Sequence, residues 1–229
     1  MESKIYSEEQ QSLDYSGRMY YRNVDRTVSP WASALKRGFD IVASVLGFIL
    51  ASPLFLIIYV AIKLEDGGNV IFRQERVGYR GKIFTLYKFR SMIVEAEHDG
   101  KPELCRKDDD RLTKVGRFLR DHHVDELPQL WNVLKGDMSF VGPRPERKYF
   151  VDKIIAVNPD YRLLYQLRPG LFSEATLYNG YTDTMEKMLE RLRMDLNYLM
   201  NRTFALDMKI IWLTVMSILT GKKLSLIHI

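Results

Sequence analysis

The stretch VDELPQLWNVLKGDMSFVGPRP, residues 124–145, is the most informative part of this 229-residue sequence. Asp125 is a favourable helix N-cap, Pro128 is tolerated in a first helical turn, and Gly136 suits a helix C-terminus. Between them apolar side chains recur at helical spacing, at Leu127, Leu130, Trp131 and Leu134. The stretch therefore predicts a helix over about 125–135 and, because two prolines follow in GPRP, an extended segment after it.

On this interpretation the acidic pair Asp125–Glu126 opens a helix. Free backbone N–H groups and the helix dipole favour negative charge at that position. Asp125 would stay ionised, as a carboxylate nucleophile must, and two adjacent carboxylates can divide the work, one attacking and the other holding a divalent metal. Plain helix capping is the commoner explanation of an isolated Asp-Glu pair before a helix, so the surroundings must favour the functional reading.

Basic residues near this pair in sequence favour a phosphate ligand. Arg144 lies between two prolines on stiff, extended backbone, which presents a guanidinium at low entropic cost. Lys88 and Arg90, in YKFRSM, alternate on one face of a predicted strand. Further basic residues recur at every third position, at Arg111, Lys114, Arg117 and Arg120. A solvated or lipid-facing surface also explains that last stripe.

Residues 41–62, IVASVLGFILASPLFLIIYVAI, carry no charge and have about the length of a membrane-spanning helix. Ser52 and Pro53 interrupt the run near its middle. Pro53 has no N–H for the carbonyl of Ile49, and the Ser52 hydroxyl can help to satisfy that group. Hydropathy alone leaves two structures open: a simple spanning helix, or a bent helix that enters and leaves by the same face.

The remaining chain reads as a mixed α/β domain. Residues 69–78 and 82–92 predict two short strands with a hairpin-like turn, and helices are predicted at about 112–121, 146–156 and 183–200. The apolar segment 204–221, with Trp212, predicts a helix in the membrane interface, and a core helix is the alternative.

We divide the chain into five parts: a tail (1–35), a membrane helix (36–66), the main domain (67–200), a C-terminal interfacial helix (201–223), and residues 224–229, LSLIHI, which we interpret as a sequence artefact. The net charge of +5 fits anionic lipids, nucleotides or nucleic acid without choosing among them. The only cysteine, Cys105, excludes an internal disulfide.

Several ordered motifs between Lys36 and Gly170 resemble the bacterial sugar transferases, the monotopic phosphoglycosyl transferases. They are KRGFDIVASVLGFILASPLFLIIYVAIKLEDGGNVIFRQERVG, YKFRSM, DELPQLWNVLKGDMSFVGPRPE and LRPG. The resemblance implies transfer of a sugar-1-phosphate from a UDP-sugar to polyprenyl phosphate, with release of UMP and with Mg²⁺ as cofactor. It also implies membrane lipids as partners, no nucleic acid, and a catalytic domain on the cytoplasmic face of the bacterial inner membrane.

The resemblance also implies roles for individual residues. Asp125 matches the family's nucleophile, which forms a covalent phosphosugar intermediate, and Glu126 matches its Mg²⁺ ligand. Arg144 matches a phosphate ligand. The Ser52–Pro53 pair matches the bend of a re-entrant helix, which favours the second of the two membrane structures.

Lys88 matches a basic residue of the family after its second strand. With Arg90, Arg120 and Arg144 it forms the predicted substrate-binding set. Many members follow Arg-Pro-Gly with Ile-Thr-Gly-Trp, whereas this chain continues with LFSEATLYNGYTDTMEKMLERL, so the sugar is not predicted. The glycan pathway and the oligomeric state, a dimer included, also stay open.

Two rival functions are weighed against this one. A metal-dependent glycosyltransferase or phosphatase would use the carboxylates without covalent capture, and a membrane scaffold would use only the basic surface. The acidic run 108–110 resembles a glycosyltransferase Asp-x-Asp but lacks a preceding apolar strand, so we interpret it as a solvated loop or helix cap. His122 and His123 have no suitably spaced metal partners, which argues against zinc.

Overall fold

The computed structural model describes residues 29–93, 96, 109–179 and 182–220. The helices are α1 (Pro30–Asp66), α2 (Lys114–Asp121), α3 (Gln129–Lys135), α4 (Lys148–Val157), α5 (Glu174–Asn179), α6 (Met185–Asn201) and α7 (Phe204–Thr220). The strands are β1 (Ile71–Val77), β2 (Ile83–Phe89), β3 (Ser139–Val141) and β4 (Gly170–Phe172). The predicted mixed α/β class is confirmed. The interpretations of the N-terminal tail up to residue 28, of Cys105 and of the last six residues lie outside the described residues.

Helix α1 is 37 residues long and is, in the described part of the chain, the one helix long and apolar enough to cross a membrane. Only 11% of its apolar window is buried, which argues against a core helix. It begins at Pro30 and continues through Pro53. The Ser52 hydroxyl donates to the carbonyl of Ile49 at 2.8 Å, as predicted from the missing N–H of Pro53.

Two small sheets form the α/β part of the domain. β1 and β2 pair antiparallel, with Val77 opposite Ile83, which confirms the predicted hairpin. β3 and β4 pair parallel, with Val141 opposite Phe172. Beside this pair the backbone of Gly142 lies very close to that of Arg168. A Cβ on Gly142 would therefore be only 2.4 Å from the carbonyl oxygen of Arg168.

The apolar core joins β2 to α3. Phe84 and Leu86 of β2 pack with Leu130 and Val133 of α3 and with Met138, all of them buried. This shared core fixes the strand that leads to Lys88 against the helix that follows the acidic pair. The predicted apolar face of α3 is only partly correct, because Trp131 is half exposed.

Polar contacts fasten the N-terminal half of α1 to the domain. Lys36 forms an ion pair with Asp207 of α7. Arg37 donates to the carbonyl of Val133 at 2.6 Å and to that of Leu134 at 2.8 Å, near the C-terminus of α3. These hydrogen bonds attach α1 directly to α3, the helix that follows the acidic pair.

Helix α7 packs on the domain mainly through its first two turns. Asp207 and Ile210 are buried, whereas Trp212, Val215 and Met216 are exposed. The core-helix alternative therefore holds only for the beginning of α7, and an apolar surface remains along the rest.

Candidate active site

Asp125 and Glu126 lie in a 3₁₀ turn, Val124–Glu126, and α3 begins only at Gln129. The prediction that Asp125 caps this helix is wrong. His123 adopts a left-handed conformation with φ 56°, so the chain turns sharply after α2 before the next helix begins. The N–H of Leu127 then donates to the carbonyl of Val124 at 3.2 Å, which closes the tight turn. The expectation that a helix N-terminus keeps Asp125 ionised therefore loses its structural basis.

Two cations converge on one oxygen of Glu126. Lys88 Nζ donates to Glu126 Oε1 at 2.7 Å, and Arg144 Nη2 donates to the same atom at 2.8 Å. Lys88 Nζ also lies 4.0 Å from Asp125 Oδ2. The structure thus brings Lys88, Asp125, Glu126 and Arg144 together, although they are up to 56 residues apart in the sequence.

The local chain path explains this convergence. Lys88 lies near the end of β2, and Arg144 follows the short strand β3 through Gly142 and Pro143. The hydrogen bond from the N–H of Gly142 to the carbonyl of Phe172, 3.1 Å long, holds the start of the proline segment beside β4. Arg144 is consequently presented from a fixed backbone, as its two flanking prolines predict.

The environment moves the pKa values of the two carboxyl groups in opposite directions. Burial raises the pKa of Asp125, with Lys88 opposing the rise and Glu126 adding to it. Burial alone would also raise the pKa of Glu126, but Arg144 and Lys88 together hold it well below its ordinary value. Such a difference assigns separate roles to adjacent carboxyl groups. Glu126 is the fixed anion, and Asp125 is the more basic and less engaged partner.

Arg144 is permanently charged in this setting. The Glu126 carboxylate raises the pKa of the Arg144 guanidinium above its usual range. Its side chain is 29% exposed, whereas that of Asp125 is 4% exposed. An anionic ligand that arrives from solvent can therefore contact Arg144 before it contacts Asp125.

Residues 31–221 match the sequence model of the bacterial sugar transferase family. The chain belongs to this family. Among its relatives, a UDP-N-acetylgalactosamine-undecaprenyl-phosphate N-acetylgalactosaminephosphotransferase of Aeromonas hydrophila is 42% identical over 193 residues, which are 84% of this chain and 45% of the relative. The family prediction made from the sequence motifs is thereby confirmed.

Two further relatives of this sugar transferase are UDP-glucose:undecaprenyl-phosphate glucose-1-phosphate transferases. The protein of Klebsiella pneumoniae is 46% identical over 79% of this chain and 39% of its own length. The protein of Caulobacter vibrioides is 44% identical over 81% of this chain and 70% of its own length. The chain thus spans less than half of the first two relatives.

The remaining predicted ligands of the sugar transferase lie at different distances from the acidic pair. Arg120, in the last turn of α2, is near enough to lower the pKa of Asp125. Arg90 instead forms an ion pair with Asp66 at the end of α1 and lies beneath Gly68, where a Cβ would meet its Nη1 at 2.1 Å. The structure therefore does not bring Arg90 to the acidic pair.

The predicted basic stripe on α2 is not one surface. Arg111 precedes the helix and contacts Asp109, with Nε 2.7 Å from Oδ1 and Nη2 2.7 Å from Oδ2. Asp109 is itself buried, so the acidic run before α2 is not simply a solvated loop. Lys114 and Arg117 are exposed, as the stripe predicts.

Sequence reasoning missed two buried polar groups of this sugar transferase. Glu146, two residues after Arg144, binds Arg191 and lies 3.2 Å from Arg76 Nη1. Asn132 of α3 is fully buried and contacts β2. The signal for Asn132 was available, because it is a polar residue inside the apolar run LWNVL. No local pattern pairs Glu146 with arginines 70 and 45 residues away.

Proposed function

We propose that this protein transfers a sugar-1-phosphate from a UDP-sugar to polyprenyl phosphate and releases UMP. The observation that carries the proposal is the position of Glu126 Oε1 between Lys88 and Arg144, with Asp125 directly beside them. The family membership and the activities of the named relatives support the same reaction. The sugar and the glycan pathway are left open.

The proposed first step is covalent. A carboxylate oxygen of Asp125 attacks the phosphorus that bears the sugar, and the bond from that phosphorus to the bridging oxygen of the diphosphate breaks. UMP leaves with the bridging oxygen, and the sugar-1-phosphate remains bonded to Asp125. A phosphate oxygen of polyprenyl phosphate then attacks the same phosphorus and releases the Asp125 carboxylate. Burial of Asp125 supports this role, because a poorly solvated carboxylate is a stronger nucleophile once it is ionised.

Lys88, Arg120 and Arg144 are the proposed phosphate ligands. In the structure Lys88 and Arg144 share Glu126 Oε1, and diphosphate oxygens offer both cations an alternative acceptor. A guanidinium fits two phosphate oxygens at once, and an ammonium binds as a point charge. Ligand binding at these cations would reduce the repulsion between the diphosphate and the attacking carboxylate.

The acidic pair fits the proposed Mg²⁺ site in its chemistry. Mg²⁺ is commonly held by one or two carboxylates together with substrate phosphates and water, so it does not need a cage of protein ligands. Among the described residues no group of three or more His, Cys, Asp or Glu side chains is arranged for a metal. Both cation contacts fall on Glu126 Oε1, and the Glu126 carboxylate is the group that would hold the metal. Mg²⁺ bound there would neutralise part of the diphosphate charge.

We further propose that α1 is re-entrant and enters the bacterial inner membrane from the cytoplasmic side. A straight helix of this length would be about 55 Å long. Both ends of α1 nevertheless contact the same charged domain, Arg37 at the carbonyls of α3 and Glu65 at the N–H of Lys114, 2.8 Å away. The exposed middle of the helix, around Ser52 and Pro53, would then be its deepest part.

The two phenylalanine rings on either side of the proline also support a bend. Phe48 and Phe55 are separated by about 10 Å along a straight helix axis. Their ring centroids are 5.8 Å apart, and Phe55 also packs on Phe89 of β2 at 5.0 Å. The exposed apolar side of α7, with Trp212, is the proposed second contact with the membrane interface.

Nucleotide release tests the reaction directly. The purified chain is incubated with Mg²⁺, undecaprenyl phosphate and a panel of UDP-sugars. We expect UMP from at least one sugar, none from Asp125→Asn, and unchanged release from the exposed control Asp152→Asn. UDP in place of UMP would support a metal-dependent glycosyltransferase, and failure to release any nucleotide from a full panel would remove the proposal.

Cysteine labelling tests the membrane arrangement. Cys105 is first replaced by serine, and single cysteines are then placed near residues 20 and 70. A re-entrant helix predicts that a reagent that cannot cross the membrane labels both from the cytoplasmic side. Labelling from opposite sides would contradict the re-entrant arrangement and support a simple spanning helix.

A further inference from the structure

Asn132 is a fully buried polar residue that bonds to the backbone of β2. Its Nδ2 donates to the carbonyl of Thr85 at 2.7 Å, and its Oδ1 accepts from the N–H of Tyr87 at 3.1 Å. Among the described residues β1 and β2 form a two-stranded sheet, so these two groups face away from the partner strand. The amide of Asn132 takes the place that a third strand would have along this edge.

The contact between Asn132 and β2 lies close in sequence to Lys88 on one strand and to Glu126 before the helix. Tyr87 directly precedes Lys88, and the helix that carries Asn132 begins three residues after Glu126. The ion pair between Lys88 and Glu126, 2.7 Å long, therefore closes a small ring of contacts with the amide of Asn132. A shift of β2 relative to α3 would change the distance between Lys88 and Glu126.

The backbone of Asn132 continues the connection toward Arg144. Its carbonyl accepts from the N–H of Met138 at 3.1 Å, just before β3 begins. β3 leads directly into the proline segment that presents Arg144. One residue thus contacts both segments whose cations meet on Glu126, through its side chain on the Lys88 side and through its main chain on the Arg144 side.

We propose that Asn132 is a positioning residue for the reaction, because its side-chain amide sets where Lys88 meets Glu126. This inference rests on the proposed function for its readout. It goes beyond that function in assigning a role to a fully buried residue whose side chain contacts Thr85 and Tyr87.

The chemistry of the contact requires a primary amide of this length. Aspartate keeps the acceptor for Tyr87 but loses the donor and sets a negative charge against the carbonyl of Thr85. Leucine has a similar branched shape but is larger and has neither polar group, so it breaks the hydrogen bonds to Thr85 and Tyr87 and removes the 3.4 Å contact of Nδ2 with Asp137 Oδ2. Asn132→Leu is accordingly the most informative single substitution, with Asn132→Asp as the second variant if the first does not fold.

Double-mutant cycles separate positioning from general stability. UMP release is measured for Asn132→Leu alone, in a Lys88→Met background and in an Arg144→Lys background. We expect Asn132→Leu alone to slow release about tenfold, as a small displacement of a reactive group does. In the Lys88→Met background the same substitution should cost less than about twofold, because the contact that it positions is already lost. In the Arg144→Lys background it should again cost about tenfold, because the main-chain connection to β3 is unchanged.

Val133→Ala is the matched control, since Val133 is equally buried in the same helix and packs in the same core without a side-chain hydrogen bond to β2. It should lower the thermal midpoint and have the same small effect on the rate in all three backgrounds. If Asn132→Leu costs the same factor with Lys88 as with Met at position 88, Asn132 serves only the fold and the inference is overturned. If the unmodified chain releases no UMP, the proposed function fails, and the positioning role falls with it.

Discussion

Two glutamates in this sugar transferase are each held between two cations, yet they belong to different kinds of site. Glu126 binds Lys88 and Arg144, and Glu146 binds Arg76 and Arg191. Both sites draw on the same short segment, because Arg144 and Glu146 are separated by one proline. Ion pairing by itself therefore does not identify a functional carboxylate in this fold.

Exposure and spare charge distinguish the two sites. The side chains of Arg191 and Glu146 are each 9% exposed, whereas that of Arg144 is 29% exposed. Burial also lowers the pKa of Arg76 to about 10. Beside Glu126, Asp125 is a second carboxyl group 4.0 Å from the Lys88 ammonium, and the partly exposed Arg144 of the same site can receive an anion from solvent. We infer that Glu126 and its neighbours serve the reaction and that Glu146 serves stability.

Arg144→Lys should have the largest effect of the predictions that follow. A lysine keeps the charge but loses the planar pair of donors, so we expect UMP release to slow by about a hundredfold. The thermal midpoint should change little, because the residue is partly exposed. The rate is measured with saturating UDP-sugar. An unchanged rate would show that the reaction does not need this guanidinium and would contradict the assignment of the Glu126 site to the reaction.

Glu146→Gln should act on stability instead. The substitution leaves the buried guanidinium of Arg191 and the partly buried one of Arg76 without their carboxylate, and we expect the free energy of unfolding to fall by about 3 kcal/mol. The rate of UMP release per folded molecule should stay within about threefold of the original. Urea unfolding measures the free energy of unfolding. Asp152→Asn, which removes the exposed ion pair with Lys148, is the control. A large loss of rate with unchanged stability would reverse the two assignments.

Asp195→Asn gives a smaller and pH-dependent effect near the Glu146 site. Burial raises the pKa of Asp195 from 3.8 to about 8. The folded chain therefore holds this proton more tightly than the unfolded chain, and the resulting stability is present at low pH and is lost as the pH rises toward 8. Asparagine needs no proton to be neutral. The thermal midpoint of the variant should therefore lie a few degrees above that of the original chain at about pH 9 and be nearly equal to it at about pH 4. An equal gain at both pH values would contradict a buried titrating carboxyl group.

Much of the fold was predictable because it follows local patterns. The β1–β2 hairpin, the helices α2, α3, α4, α6 and α7, and the Ser52–Ile49 hydrogen bond all arise from residues close in the sequence, whereas the short helix α5 was not predicted. The parallel pairing of β3 with β4 was not predicted, since its partners are 31 residues apart and each strand has only three residues. Short strands give too little periodicity to be recognised.

The sequence predicted which residues form the candidate site more accurately than it predicted how they are arranged. Family motifs identified Asp125, Glu126 and Arg144, but the helix start was misplaced because the conformation of one residue, His123, redirects the chain. Lys88 and Arg90 were expected to act together, since alternate residues share a strand face. β2 ends at Phe89, and Arg90 turns to Asp66 instead. The role of Arg90 in substrate binding stays a prediction.

The covalent role of Asp125 is the central claim, and mass analysis of the protein itself tests it most directly. The chain is incubated with Mg²⁺ and the accepted UDP-sugar without polyprenyl phosphate, and its peptides are then mapped. The account predicts one sugar-phosphate adduct on the peptide that contains Asp125, loss of the adduct when polyprenyl phosphate is added, and no adduct on Asp125→Asn. Continued UMP release by Asp125→Asn, or an adduct on a different residue, would contradict it.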